Sequence, residues 1–188
     1  MAADSLGNDI SRVFIPVTGF LGYAPAGTSL ISSEDGGDPD FVLPAAFKKA
    51  GLFKDDGGFQ WTLEPDGDPI EFFQEGYQIP SGLANATLEA TLAQSDSIVR
   101  SLLWGQTPDE NGYIEIDAGG HATEFVFFTE EIAKNGDIRR RQAEGQVTAV
   151  SEDQSTRGEV YGYGATFKMK RSPSLNNKHL GEWIIPAA

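Results

Sequence analysis

His121 and His179 are the only histidines in the chain, and it contains no cysteine. Zinc draws three or four Cys, His or carboxylate ligands from a rigid frame, and two distant histidines do not supply that set. A Ser-His-Asp triad is arithmetically available, but no G-x-S-x-G elbow accompanies it. His121 reads instead as the start of a strand, beside the pair Gly119-Gly120. The adjacent carboxylates Glu130-Glu131 resemble a glycosidase acid and base only on paper. Neighbours on a strand point to opposite faces and cannot flank one bond. Asp66, Asp68 and Glu71 match a calcium loop in composition but not in the required ligand spacing. Gly158, Gly162 and Gly164 form no phosphate loop, because no helix follows them. Asn85-Ala86-Thr87 spells a glycosylation sequon without a secretion signal, and Tyr161 and Tyr163 are aromatic enough to stack sugars or bases but read as core. No catalytic, cofactor or metal site is expected, and the protein is not expected to be an enzyme.

The elements that would position any site are mostly strands. Residues 119–171 organise the chain, with strands expected at 121–132, 138–150 and 159–171. Asn135-Gly136 joins the first two, since both residues tolerate the positive φ of a two-residue hairpin turn. In the third, Tyr161, Tyr163, Ala165, Phe167 and Met169 alternate with Gly162, Gly164, Thr166, Lys168 and Lys170. That period of two describes a sheet with one packed face and one turned elsewhere.

Upstream, residues 1–10 read as a loose arm, and a β-rich segment covers 12–24. Residues 34–40 read as a surface loop. Residues 40–51 read as a short helix, with Pro44 in its first turn and Gly51 as its cap. Alternation predicts strands at 59–63, 70–73, 86–92 and 113–117. Ser95, Asp96 and the stripe Ile98, Val99, Leu102 and Leu103 predict a second helix, closed by Trp104-Gly105. Residues 174–188 show little regular pattern and read as a C-terminal arm. The expected fold class is mainly β: an antiparallel two-sheet sandwich or partial barrel with one or two short helices, its body spanning 11–173.

The 188 residues suit one domain. They carry 28 acidic and 14 basic residues, a net charge of −14, which is the wrong sign for gripping a nucleic-acid backbone. The one basic run, Arg139-Arg140-Arg141, lies inside an expected strand, where its side chains alternate faces. No leader-like N-terminus and no run long enough to span a bilayer is visible, so a soluble protein made in a reducing cytoplasm is expected.

With these segments laid out, the chain resembles the major tail proteins, or tail tube proteins, of long-tailed, siphovirus-type bacteriophages, in particular those of phages infecting actinobacteria. Four stretches carry the likeness. They are the strand Gly19-Phe20-Leu21-Gly22-Tyr23-Ala24 with its turn Pro25-Ala26-Gly27-Thr28, residues 47–63, residues 83–105, and residues 122–173. Order and spacing make the match rather than any single motif. Residues 34–40 and the segment after Gly105 look long for the family, and the tail with Trp183 matches nothing in it.

The resemblance implies a tail-tube fold and hexameric rings stacked into a tube. Each subunit would give four strands to a shared barrel of about 24, above the roughly 16–18 at which barrels enclose water. It implies a homo-oligomer within a virion tail, made in the host bacterial cytoplasm. Its partners would be tape measure, tail terminator and distal tail proteins. DNA would pass along an acidic lumen without specific binding, and no membrane or cofactor would be involved. Gly162, Gly164, Thr166 and Lys168 are the candidate lumen-facing residues. Phe72, Phe73, Tyr77, Trp183, Ile184 and Ile185 are the candidate contacts between rings or subunits. The alternatives are a tube protein of a type VI secretion or contractile injection system, and a non-tube β-sandwich virion or carbohydrate-binding protein.

Overall fold

A computed structural model describes residues 4–187. The protein is mainly β, with one large antiparallel sheet, a small second sheet and two short helices. The strands are β1 (Pro16–Pro25), β2 (Lys48–Lys49), β3 (Gln60–Asp66), β4 (Ile70–Glu71), β5 (Gln78–Ile79), β6 (Leu83–Leu92), β7 (Glu124–Ala133), β8 (Ile138–Glu152), β9 (Tyr163–Lys170) and β10 (Gly181–Ile185). The helices are α1 (Ser33–Gly37) and α2 (Ser97–Trp104). The large sheet runs β2-β1-β7-β8-β9-β6-β3, with β10 added beside β8, while β4 and β5 pair only with each other.

β8 is long enough to serve three partners. Its first half pairs with β7 on one edge and β10 on the other, and its second half pairs with β9. A register shift between Val147 and Ala149 marks the bulge where the strand bends. The sheet curls until its ends approach each other. Residues 48–57 bridge the gap: the Ala50 amide donates to the Leu21 carbonyl and that of Lys54 to Thr91, while Ala93 donates to Leu52. Instead of two separate sheets facing each other, one sheet faces itself.

Alternation fills the inside of this curl. Leu21 and Tyr23, Phe125 and Phe127, Ala143 and Val147, Phe167 and Met169, and Leu88 and Leu92 all point inward. α2 closes the space with Val99, Leu102 and Leu103, each completely buried. Asp96 caps this helix by accepting from the Ile98 and Val99 amides, and Gly105 ends it at φ 66°. A second core lies on the opposite side of β1 and β7, where Ala24, Val126 and Phe128 meet Ile31, Phe41, Phe47 and Trp183.

The structure corrects several expectations. Residues 40–51 form no helix. Phe47 is buried in the outer core and Ala50 in the inner one, an arrangement that extended backbone allows and a single helical face does not. Residues 34–40 are not a free loop: they include part of α1 and are fastened by their backbone. Residues 113–117 form no strand, and the strand expected at 159–171 begins only at Tyr163, leaving Tyr161 and Gly162 before it. The segment expected as a C-terminal arm, 174–188, is not detached over its described residues 174–187, because β10 pairs with β8 from Gly181↔Gln142 to Ile185↔Ile138; residue 188 lies outside the described residues.

Candidate subunit-contact surfaces

Several of the residues that might carry chemistry have structural partners. Glu131 takes a paired contact from Arg139, Nε and Nη2 each donating at 3.0 Å. Glu130 lies on the other face and accepts from Arg140 Nε at 2.7 Å, so the two carboxylates are separated as strand alternation requires. Arg139 and Arg141 share one face and Arg140 the other, leaving no basic patch. The His121 ring nitrogen Nε2 sits 3.1 Å from the Leu103 carbonyl, and its Nδ1 accepts from the Thr123 amide at 3.2 Å. The ring thus closes the C-terminus of α2. His179 lies in the turn before β10, and burial, followed by the charge of Arg171, lowers its pKa. Asp66, Asp68 and Glu71 are exposed, and among the described residues no three His or carboxylate side chains converge as a metal would need.

Among the sequence-nominated contact residues, Phe72, Phe73 and Tyr77 are exposed on a projecting arm. This arm is the β3–β6 hairpin, whose connection holds the small β4–β5 pair. It also exposes Leu63, Ile70, Ile79 and Leu83. The C-terminal residues behave differently. Trp183 donates from Nε1 to the Ser33 carbonyl at 3.0 Å and packs on Phe128, with ring centroids 6.4 Å apart. Ile185 is buried and Ile184 exposed. Trp183 and Ile185 therefore pack within their own chain, and of the three only Ile184 is exposed.

The outward face of β8, β9, β6 and β3 is polar. Registered rows cross all four strands: Ala149, Thr166, Glu89 and Gln60 in one, and Gln146, Lys168, Thr87 and Thr62 in the next. Lys168 is exposed, while Thr166 and Gly164 are half-buried. Gly162 lies outside β9 and is buried; a Cβ there would press on Thr91, Asp153 and Lys54. The Lys54–Asp153 ion pair, at 2.7 Å, covers it, and the hydrogen bond from Lys54 holds the Asp153 carboxyl below its ordinary pKa. Glu64, Asp66, Glu89, Glu124 and Glu144 share this side with Lys168 and Lys170, and Lys170 is engaged by Glu124 and Glu144.

This four-stranded wall ends in two unpaired edges. Among the described residues, β3 pairs only with β6, and β8 beyond Gln146 has no strand on the side that β7 occupies below. Pro65 lies within the unbroken β3–β6 register, and a proline belongs where its nitrogen faces away from the partner strand. By alternation Trp61 and Leu63 then turn their amides and carbonyls to the open side. Nothing in the sequence alone exposes these edges, because pairing is settled by residues far apart in the chain.

Comparison with protein-family models finds no match, and no curated protein matches the chain in sequence.

Proposed function

We propose that this chain is the structural subunit of a phage tail tube, assembling into hexameric rings that stack and conduct DNA through their bore. The observation that carries this reading is the polar wall of β8, β9, β6 and β3, open along both edges. An exposed edge strand invites pairing with another chain, and a wall with two open edges forms a ring when copies pair edge to edge with a rotation that closes. The four strands match the share that the tail-tube resemblance assigns to each subunit.

The chemistry of the wall suits a conduit. A phosphate backbone adheres to clustered Lys and Arg by releasing counterions. Here carboxylates outnumber the two lysines, one of them is engaged by glutamates, and the whole chain carries −14. Such a lining keeps a polyanion moving without binding it. In this reading the protein resides in the virion tail, beside tape measure, terminator and distal tail proteins.

The test follows from the edge. Leu63→Pro removes an outward amide of β3 while leaving the β6 ladder in place. Sedimentation and negative-stain microscopy of concentrated protein should show rings or tubes for the unaltered chain and folded monomers for the variant. Rings formed equally well by the proline variant would refute pairing through β3.

A further inference from the structure

The β3–β6 arm and a groove beside α2 lie at opposite strand ends of the same sheet. One registered row runs through Thr87, Lys168, Gln146 and Glu124. From Thr87 the arm continues one way, through Leu83 and past it. The groove lies where β1 ends and β7 begins, formed by Tyr23, Pro25, Ala26, Lys48, Ser101 and Phe125 with neighbouring backbone, with a volume of about 410 Å³. By register Pro25 and Phe125 stand one residue, and Tyr23 and Lys48 three residues, from the Glu124 row on its arm side. Translating one copy along the strands carries the tip of the arm toward the groove of the next.

The two surfaces also complement each other chemically. The tip presents Phe72, Phe73 and Tyr77 to solvent, with Phe72 and Tyr77 lining a hollow of about 390 Å³ together with Gln74, Gln78 and Ile79. Its charges are of one sign: Glu64, Asp66, Asp68, Glu71 and Glu75, with no Lys or Arg between Lys54 and Arg100. Two such tips repel each other. The groove has an apolar floor in Tyr23, Pro25 and Phe125 and an exposed cation in Lys48, while its one carboxylate, Glu124, is already held by Lys170. An acidic, aromatic tip fits that surface and does not fit its own copy.

Resting on the tube reading, we infer that the Phe72–Phe73–Tyr77 tip of one copy docks in the Tyr23–Lys48–Phe125 groove of a copy in the adjacent ring. The contact is head-to-tail, so each docked copy offers a free tip and a free groove, and stacking continues without closing. Aromatic anchors in a pocket, surrounded by charges that fix orientation, are the usual carriers of such affinity.

The chain has no cysteine, so an engineered pair reports the contact without background. A chain carrying both Phe73→Cys and Ala26→Cys, concentrated and mildly oxidised, should give a ladder of covalent oligomers on non-reducing gels. Each single variant should remain monomeric. The expected ladder weakens when Lys48→Glu is added and returns when Glu71→Lys accompanies it. Dimers from Phe73→Cys alone would mean tip-to-tip contact and overturn the inference. Stacked rings seen by microscopy without any ladder would overturn it too, while leaving the tube reading intact. Absence of any assembly by the unaltered chain would remove both.

Discussion

Arg140 is a cation with almost no exposed surface, and its surroundings explain how it can be charged there. Its guanidinium donates to Glu130, to the Gly36 and Asp38 carbonyls, and to Pro39 O at 3.2 Å. A buried charge is tolerated when it is paired and its remaining donors are satisfied. Through these bonds β8 holds α1 and the following loop against the outer core. Gly36 is part of the same fastening, because a Cβ at this position would overlap the Trp183 indole. Gly36→Ala is expected to cost about 1–3 kcal/mol, the usual effect of overfilling a packed site, measured as a shift in the urea midpoint. Tyr23 gives a pH-dependent counterpart. Burial, followed by the charge of Asp96, pushes its phenol up to about 12, and the hydroxyl donates to the Ile98 carbonyl at 2.7 Å. The folded state therefore retains a proton that the unfolded chain releases near pH 10. This contribution is complete below pH 10 and is lost as pH rises toward 12. Thermal melts of Tyr23→Phe should fall less steeply over that window than those of the parent; identical slopes would contradict the assignment.

The elements divide into those that build the subunit and those that project from it. β10 belongs to the first group, since it pairs along β8 and places Trp183 and Ile185 in contact with the body. Truncation after Lys178 should destabilise the subunit by on the order of 3 kcal/mol or more through loss of buried apolar side chains. A truncated chain that melts like the parent would show β10 to be dispensable. The arm belongs to the second group. Replacing residues 68–80 with a short turn should leave the melting temperature nearly unchanged and abolish assembly beyond single rings, as read by electron microscopy.

Much of this division was legible in the sequence. The alternation Ala165, Phe167, Met169 set the inward face of β9, and the stripe from Ile98 to Leu103 placed α2. Asn135-Gly136 marked the site of the β7–β8 turn, but the loop has three residues, 134–136, and only Gly136 takes a positive φ, not the two-residue turn expected. What escaped is non-local. Phe47 and Ala50, three apart, imitate a helical face but serve two cores across extended backbone. Gly181-Glu182-Trp183-Ile184-Ile185 has strand-forming residues, yet only the free lower edge of β8 makes it a strand. The contact residues divided by the same rule: exposed Phe72, Phe73 and Tyr77 sit on the projecting hairpin, while Trp183 and Ile185 found partners within their own chain.

At the scale of the whole molecule, the acidic balance and the two open edges act together. A charge of −14 keeps separate copies apart in solution, while β3 and the second half of β8 each lack a strand on one side. In the proposed assembly, association would be favoured only in the one orientation that aligns the edges, and Pro65 would limit how far pairing extends along β3. Raising salt should promote closure of single rings by screening the repulsion; sedimentation of the chain shortened at residues 68–80 that shows fewer rings with added salt would place attraction between opposite charges, not edge pairing, at the ring interface. The most direct measurement is a cryo-EM map of the concentrated protein. The proposed function predicts a six-fold ring whose bore is walled by β8, β9, β6 and β3, with Thr87, Thr166 and Lys168 facing the lumen and β3 paired to β8 of the neighbouring copy. Monomers at every concentration, or a ring that buries this polar face and lines its bore with another, would contradict it.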